Sequence, residues 1–282
     1  MTEPWKSLAE FRVVADGLDH PECVACGPDG TLYAGGEAGQ VYRLDDGVEE
    51  VGSTGGFSLG LCLDAGHNIY VCDRHHAAVV RMAPDGDTKL YSDGTADRRM
   101  RTPNHLVFAG DGTLFVSDSG DWEADDGVVW AVEPGGEASI LTTEAAAYPN
   151  GVALAPDATY LYIVLSLGPS VARLPLRDGR AAGPLETFVE LPGHVPDGVA
   201  FDVDGTLFVS CYAPDRLLAV DPGGGVETVA DDWRRVVLAS PTNIAFYGAD
   251  RRTLAVASLC RWHVAATTMP VAGAPLHYPV VP

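Results

Sequence analysis

Positive charge is scarce in this sequence of 282 residues: 18 Lys and Arg stand against 39 Asp and Glu, for a formal net charge of −21. A polyanionic surface would be repelled at long range, so neither nucleic acid nor an anionic membrane is expected as a partner. Long apolar runs are also missing. No stretch of about 18 apolar residues could cross a bilayer as a helix, and no basic start leads into an apolar signal core. The expected location is therefore cytoplasmic. Low-complexity tracts and Pro-, Ser- or charge-rich linkers are absent, which makes a single domain over residues 1–282 the economical reading. Cysteine is present but unpatterned. Cys23, Cys26, Cys62, Cys72, Cys211 and Cys260 stand mostly alone inside apolar runs, where a reduced thiol packs as a small hydrophobe. Cys23 and Cys26 form one C-x-x-C with no second pair to complete a zinc knuckle, so all six are read as core residues.

Turn formers are abundant: 32 glycines and 20 prolines punctuate a chain that is 46% hydrophobic and 20% charged, the balance of a turn-rich all-β fold with a substantial core. They punctuate a repeat. PECVACGPDGTLYAG from Pro21, PNHLVFAGDGTLFVS from Pro103 and PDGVAFDVDGTLFVS from Pro196 each read as apolar strand, Asp-Gly turn, apolar strand. Weaker copies begin at Ser58, Pro149 and Pro241, giving six in all, spaced by roughly 40 to 50 residues as four-stranded propeller blades are. Third strands follow in QVYRLD, AVVRMAPDG, VVWAVEPGG and RLLAVDPGG, and fourth strands in EEVGS, TKLYS, ASILTT, ETFVEL and VETVAD. The fold expected is an all-β, six-bladed propeller around a central channel. Phe11 to Val14 is expected to add a strand to the last blade, since an open ring would expose an unpaired edge. A β-sandwich is the alternative, but its turns are closer together and its strand pairs need not resemble one another.

Aligned on Val24, Leu61, Leu106, Val152, Val199 and Ile244, the repeats carry Glu22, Leu59, Asn104, Asn150, Asp197 and Thr242 two residues earlier. First strands line a propeller channel, so these six positions form a ring, and Glu22, Asn104, Asn150 and Asp197 offer carboxylate or amide oxygens to its axis. Such groups buried without partners are costly. One divalent metal ion would remove the cost. Oxygen-only donors suit Ca²⁺ first, with Mg²⁺ and Mn²⁺ alternatives and Zn²⁺ less favoured because it prefers nitrogen and sulfur. Local turn hydrogen bonding is the competing explanation for each position taken alone.

The loops after the second strands should open beside this ring. They hold Gly36 and Glu37; Arg74, His75 and His76; Asp118 to Trp122; Tyr212; and Arg261, Trp262 and His263, with Arg101 and His105 flanking Asn104. That mixture of aromatic and charged groups suits a small polar or partly polar molecule rather than a phosphate. Arg101, His105, Tyr212, Trp122 and His75 are the expected substrate contacts. Monomer and dimer both remain open.

VPDGVAFDVDGTLFVSCY around Asp197, HPE at Glu22 and YPNG at Asn150 resemble the regucalcin, gluconolactonase and diisopropyl fluorophosphatase family, also called the senescence-marker-protein family, and the resemblance runs along essentially the whole chain. Asn104 in RTPNH resembles the family's P-N-D segment, with His105 where an Asp is common. The resemblance implies these four residues as metal ligands and a metal-dependent hydrolase opening a sugar lactone or related small cyclic ester. In that mechanism the metal acts as Lewis acid on the carbonyl and Asp197 as general base toward water. Two other functions stand beside it. A strictosidine-synthase-like enzyme would build small molecules on the same propeller, but is expected to need a glutamate in the last blade, and Ser240 to Pro270 contains none. A non-catalytic propeller, metal-binding or serving as an interaction platform, is the other.

Overall fold

The computed structural model describes residues 3–45 and 47–282. It is a six-bladed β-propeller of antiparallel sheets. Blade 1 comprises Val24–Cys26, Leu32–Gly35, Gln40–Leu44 and Val48–Ser53; blade 2 comprises Ser58–Leu63, Ile69–Asp73, Ala78–Met82 and Thr88–Ser92. Pro103–Phe108, Leu114–Asp118, Val128–Val132 and Ala138–Thr142 make blade 3. Blade 4 is Pro149–Leu154, Tyr160–Leu165, Ser170–Arg177 and Glu186–Glu190, with a short extra strand at Arg180–Ala181. Blade 5 is Val195–Phe201, Leu207–Ala213, Arg216–Val220 and Val226–Asp231. The sixth closes the ring as expected: Pro241–Tyr247, Thr253–Ser258 and His263–Thr268 accept Arg12–Asp16 as their outer strand, with Arg12 opposite Ala266 and Asp16 opposite His263.

The repeated Asp-Gly pairs make the turns from first to second strand. Gly30, Gly112 and Gly205 sit at φ of 86°, 92° and 84°, where a side chain would be strained. In blades 1 and 3 the preceding carboxylate locks the turn, Asp29 Oδ1 accepting from Thr31 N at 3.0 Å and Asp111 Oδ1 from Thr113 N at 2.9 Å. In blade 5 the lock moves to Asp202, which accepts from Asp204 N and Thr206 N at 3.0 and 2.8 Å.

The core lies between successive blades. Leu114–Asp118 and Val128–Val132 are buried along their whole length, whereas the outer strand Val48–Ser53 is largely exposed. Between blades 3 and 4, for instance, Phe115 and Val129 pack with Leu161 and Ile163; each such side chain contributes about 1.5–3 kcal/mol by leaving water.

After the last strand the chain crosses the face that carries the Asp-Gly turns. Val203 N donates to Ala272 O and Ala274 N to Phe201 O on blade 5, Tyr278 Oη to Cys26 O on blade 1, and Ala65 N on blade 2 to Pro279 O, all at 2.8 to 2.9 Å. This strap closes that end of the channel over an apolar cavity of about 110 Å³, lined by Leu61, Leu106, Phe108, Val152 and Phe246 and floored by Pro275 to Tyr278. Among the described residues no helix is long and apolar enough to cross a membrane.

Candidate functional site

The opposite end of the channel is built from bulges. In blade 3 Pro103 pairs with Asp118 and Leu106 with Val116, so Asn104 and His105 together oppose Ser117 alone. The same two-against-one mismatch falls at Asn150 and Gly151, at Asp197 and Gly198, and at Thr242 and Asn243. A bulge bends the strand and re-aims its side chains, which is how four of the six first strands turn their opening residue out of the ladder. Serines opposite two of the bulges satisfy the freed backbone. Ser117 Oγ accepts from His105 N at 3.0 Å and donates to Asn150 O at 2.6 Å, while Ser210 Oγ accepts from Gly198 N at 2.9 Å and donates to Thr242 O at 2.8 Å. Glycine follows Leu59, Asn150 and Asp197 because the next blade arrives there: a Cβ on Gly151 would lie 2.4 Å from Asp197 O, and one on Gly60 2.4 Å from Asn104 O.

Each ring amide is oriented by a hydroxyl. Ser119 Oγ gives its only proton to Pro149 O at 2.7 Å, so toward Asn104, 3.0 Å away, it can only accept; the amide must present Nδ2 to it. Ser166 repeats the device, donating to Pro196 O at 2.7 Å and accepting from Asn150 Nδ2 at 3.3 Å. Both amide oxygens are thereby left for other donors. Thr242, the ring residue of blade 6, spends its hydroxyl on Glu22 O at 2.7 Å and stitches the last blade to the first.

The two carboxylates are in an unfavourable setting. Burial pushes Glu22 up to about 7, against the nearby Thr242 hydroxyl and the positive charge of Arg74, with Glu37 adding to the rise. Its Oε2 is buried without a partner. Asp197 is pushed well above the usual carboxylate range by burial first and by the charge of Glu22 second, with a hydrogen bond from Asn150 opposing. An orphaned carboxylate oxygen, a second carboxylate in electrostatic contact with it, and two amides each turned with Nδ2 toward a serine form a donor set that could hold one hard divalent cation. Leu59, buried in blade 2, makes the ring one-sided.

Around this centre the expected contacts separate. Tyr212 is half-buried at the end of its strand and feels the charges of both Glu22 and Asp197. Trp122 is exposed and packs edge-on against Tyr148, ring centres 4.7 Å apart. His75 is exposed in the blade 2 loop, 5.5 Å from the His76 ring. Arg101 turns to the loop after the second strand of blade 3, ion-paired with Asp121 and Asp126. His105 lines the apolar cavity, which none of the four ring residues touches; its Nδ1 accepts from Val152 N at 3.2 Å, and burial lowers its pKa to about 4. It is thus neutral, with its proton on Nε2.

Four residues sit differently from the expectation. His263 is buried in a strand with Nε2 2.8 Å from Val237 O, and Asp118 is buried as a cap for Arg101 N, Thr102 N and Trp130 Nε1, so neither belongs to the rim. Cys260 is exposed on the short 3₁₀ turn Leu259–Arg261 rather than in the core, and Cys62 is only partly buried. Two mouth residues went unnoticed. Tyr148 feels Arg74, Asp197 and Glu22, and His20 bridges Asp19 and Glu37 with its Nδ1 2.9 Å from an oxygen of each. The signal was available: both directly precede the proline before a ring residue, in HPE and YPN. Asp19, His20 and Glu37 together bring three ligand-type atoms within 4.8 Å of one another at the rim.

The sequence profile of the SMP-30/Gluconolactonase/LRE-like region matches residues 36–260, and a strictosidine synthase-like N-terminal profile matches residues 6–44. A 6-deoxy-6-sulfogluconolactonase of Pseudomonas putida is 29% identical over 244 residues, 78% of this chain and 76% of that protein. The gluconolactonase of Zymomonas mobilis is 27% identical over 201 residues, covering 59% of this chain and 55% of the enzyme, so the chain spans little more than half of that relative. Among solved structures, a gluconolactonase from Xanthomonas campestris superposes with a TM-score of 0.79 at 22% identity, covering 92% of this chain and 89% of that one. A regucalcin from Agrobacterium tumefaciens, described as a calcium-binding protein, gives 0.78 at 17% identity, covering 96% and 97%. At those identities the two structures speak to the fold alone.

Proposed function

The chain belongs to the SMP-30/gluconolactonase/LRE-like family, and from that premise we propose that it is a metal-dependent lactonase that opens a sugar lactone or related small cyclic ester. The observation that carries the reading is the pair of serine-oriented amides beside two partly buried, mutually destabilising carboxylates. Relatives named as lactonases support the reaction class.

Glu22, Asn104, Asn150 and Asp197 would hold the ion, Ca²⁺ first among the candidates. When bound it supplies Lewis acidity to the lactone carbonyl oxygen and offsets the charge of both carboxylates. Asp197 takes a proton from water as the water oxygen bonds to the carbonyl carbon, and returns it to the ring oxygen as the C–O bond of the ring breaks; the product is a hydroxy acid. Ser119 and Ser166 keep the amides from rotating, and Leu59 leaves the blade 2 side open and apolar beside the reacting ring.

Elemental analysis of the purified protein, paired with a pH-stat assay of aldonolactones before and after chelation, tests the proposal. Bound metal with acid release that stops on chelation and returns with Ca²⁺ is the expected result; a metal-free protein that still opens lactones would reject it. The strictosidine-synthase-like alternative has the match over residues 6–44 in its favour and the glutamate-free last blade against it.

A further inference from the structure

The mouth is flanked by two aromatic pairs in structurally equivalent places. Tyr148 and His20 each stand immediately before the proline that opens a blade, at blades 4 and 1, and both have left-handed backbone, φ 58° and 43°. Onto each leans a tryptophan from the loop after the second strand of the preceding blade: Trp122 of blade 3 on Tyr148 at 4.7 Å, Trp262 of blade 6 on His20 at 4.6 Å. In a ring of six blades the junction between the third and fourth lies directly across from the junction between the sixth and first. The pairs therefore face one another over the carboxylate and amide ring. Both tryptophans remain about half exposed, at 50% and 49%, so a large share of each indole is uncovered.

Large aromatic surfaces held at a mouth by a second ring are suited to flat apolar faces, either another aromatic ring or the C–H face of a pyranose. Charge narrows the class. The His20 side carries Asp19 and Glu37, each 2.9 Å from its imidazole, and beside Trp122 the guanidinium of Arg101 is already paired with Asp121 and Asp126. Arg74 supplies positive charge on the blade 2 side, where Glu22 already draws on it. An anionic substituent between the pairs would meet carboxylates.

Resting on the lactonase reading above, we propose that the two pairs form a clamp and that the substrate is a lactone bearing an uncharged flat ring outside the one that opens. A monocyclic aldonolactone or a sulfonated one would leave the clamp unused.

The test compares kcat/KM within two matched sets, γ-phenyl-γ-butyrolactone against γ-valerolactone and cellobiono-1,5-lactone against glucono-1,5-lactone, for the wild type and the Trp122→Ala and Trp262→Ala variants. The ring-bearing member of one set should be preferred, and the set that shows the preference tells an aryl from a sugar face. Each variant should reduce that preference about three- to tenfold, the range of one aromatic contact. No preference in either set, or a preference that survives in the double variant, overturns the clamp. Calorimetric titration with the lactams of the same two ring-bearing compounds, which resist opening, separates this from the reaction assignment. If no lactone is opened, lactam binding that is lost in the variants upholds the clamp while the lactonase reading falls; absence of lactam binding to the wild type overturns the clamp.

Discussion

At the ring end of the channel, first strands break their ladders at Asn104, Asn150, Asp197 and Thr242 to bring polar side chains together, whereas toward the far end the same strands pair regularly and carry Leu106, Phe108, Val152 and Phe246. The two ends use one set of strands for opposite purposes. Carboxylates held where burial raises their pKa cost stability, and the ring end tolerates that cost because the far end is apolar, buried and strapped by the chain's last residues. The difference teaches that the strain of the site is local to about two residues per blade, so substitutions at the two ends should fail in different ways.

Asp197→Asn should break the comparison most sharply. Loss of the general base should lower turnover on the order of a thousandfold or more with metal retained, while the metal-free protein should melt at a higher temperature. The sign follows from the carboxylates: with folded pKa values raised above the ordinary range, the folded state holds more protons than the unfolded one. Metal-free stability therefore falls as pH rises from about 4.5 to about 7, the window set by Glu22. Melts in chelator across that range should show the fall in the wild type and a weaker one in the variant. Unimpaired turnover, or flat melts in the wild type, would remove the basis for the role given to Asp197.

At the far end Phe108→Ala should cost about 3–5 kcal/mol in chemical denaturation, as buried Phe truncations do, with the metal affinity of the surviving folded protein altered less than its stability. Phe108 is 1% exposed and lines the cavity. An equal loss of metal affinity would show that the ends are not separable. The mildest change is Ser119→Ala, which frees the Asn104 amide to rotate. Calcium affinity measured by calorimetry should fall about tenfold, as outer-shell losses do, for about 1 kcal/mol of stability; unchanged affinity would mean that packing alone fixes the amide.

Much of this organisation was legible in the sequence because Asp-Gly turns recur at a fixed distance from apolar strands, which gives blade number and strand order; the closing strand, expected over Phe11 to Val14 because an open ring would expose an edge, lies at Arg12–Asp16. The ends of strands were less legible. His263 and Asp118 looked like rim residues because a polar residue at the edge of an apolar run reads as part of the adjoining loop, whereas here each is buried at a strand terminus. The serines behind the amides were beyond reach of pattern, since Ser119 and Ser166 act on the blade that follows, some 30 residues on. Trp122 and Trp262 could be placed on the rim, but not their pairing with Tyr148 and His20, because a contact between neighbouring blades leaves no local period.

The strand that completes the sixth blade has a consequence in time. Arg12 and its partner Ala266 are about 250 residues apart, and at a synthesis rate of about 5–20 residues per second the wait is on the order of tens of seconds. During that interval five blades can form by local hairpins, while Arg12–Asp16 has no edge to join. The ring thus closes only after synthesis has passed the last blade, and the amino-terminal strand and its future neighbour, His263–Thr268, are the surfaces most in need of protection from neighbouring nascent chains.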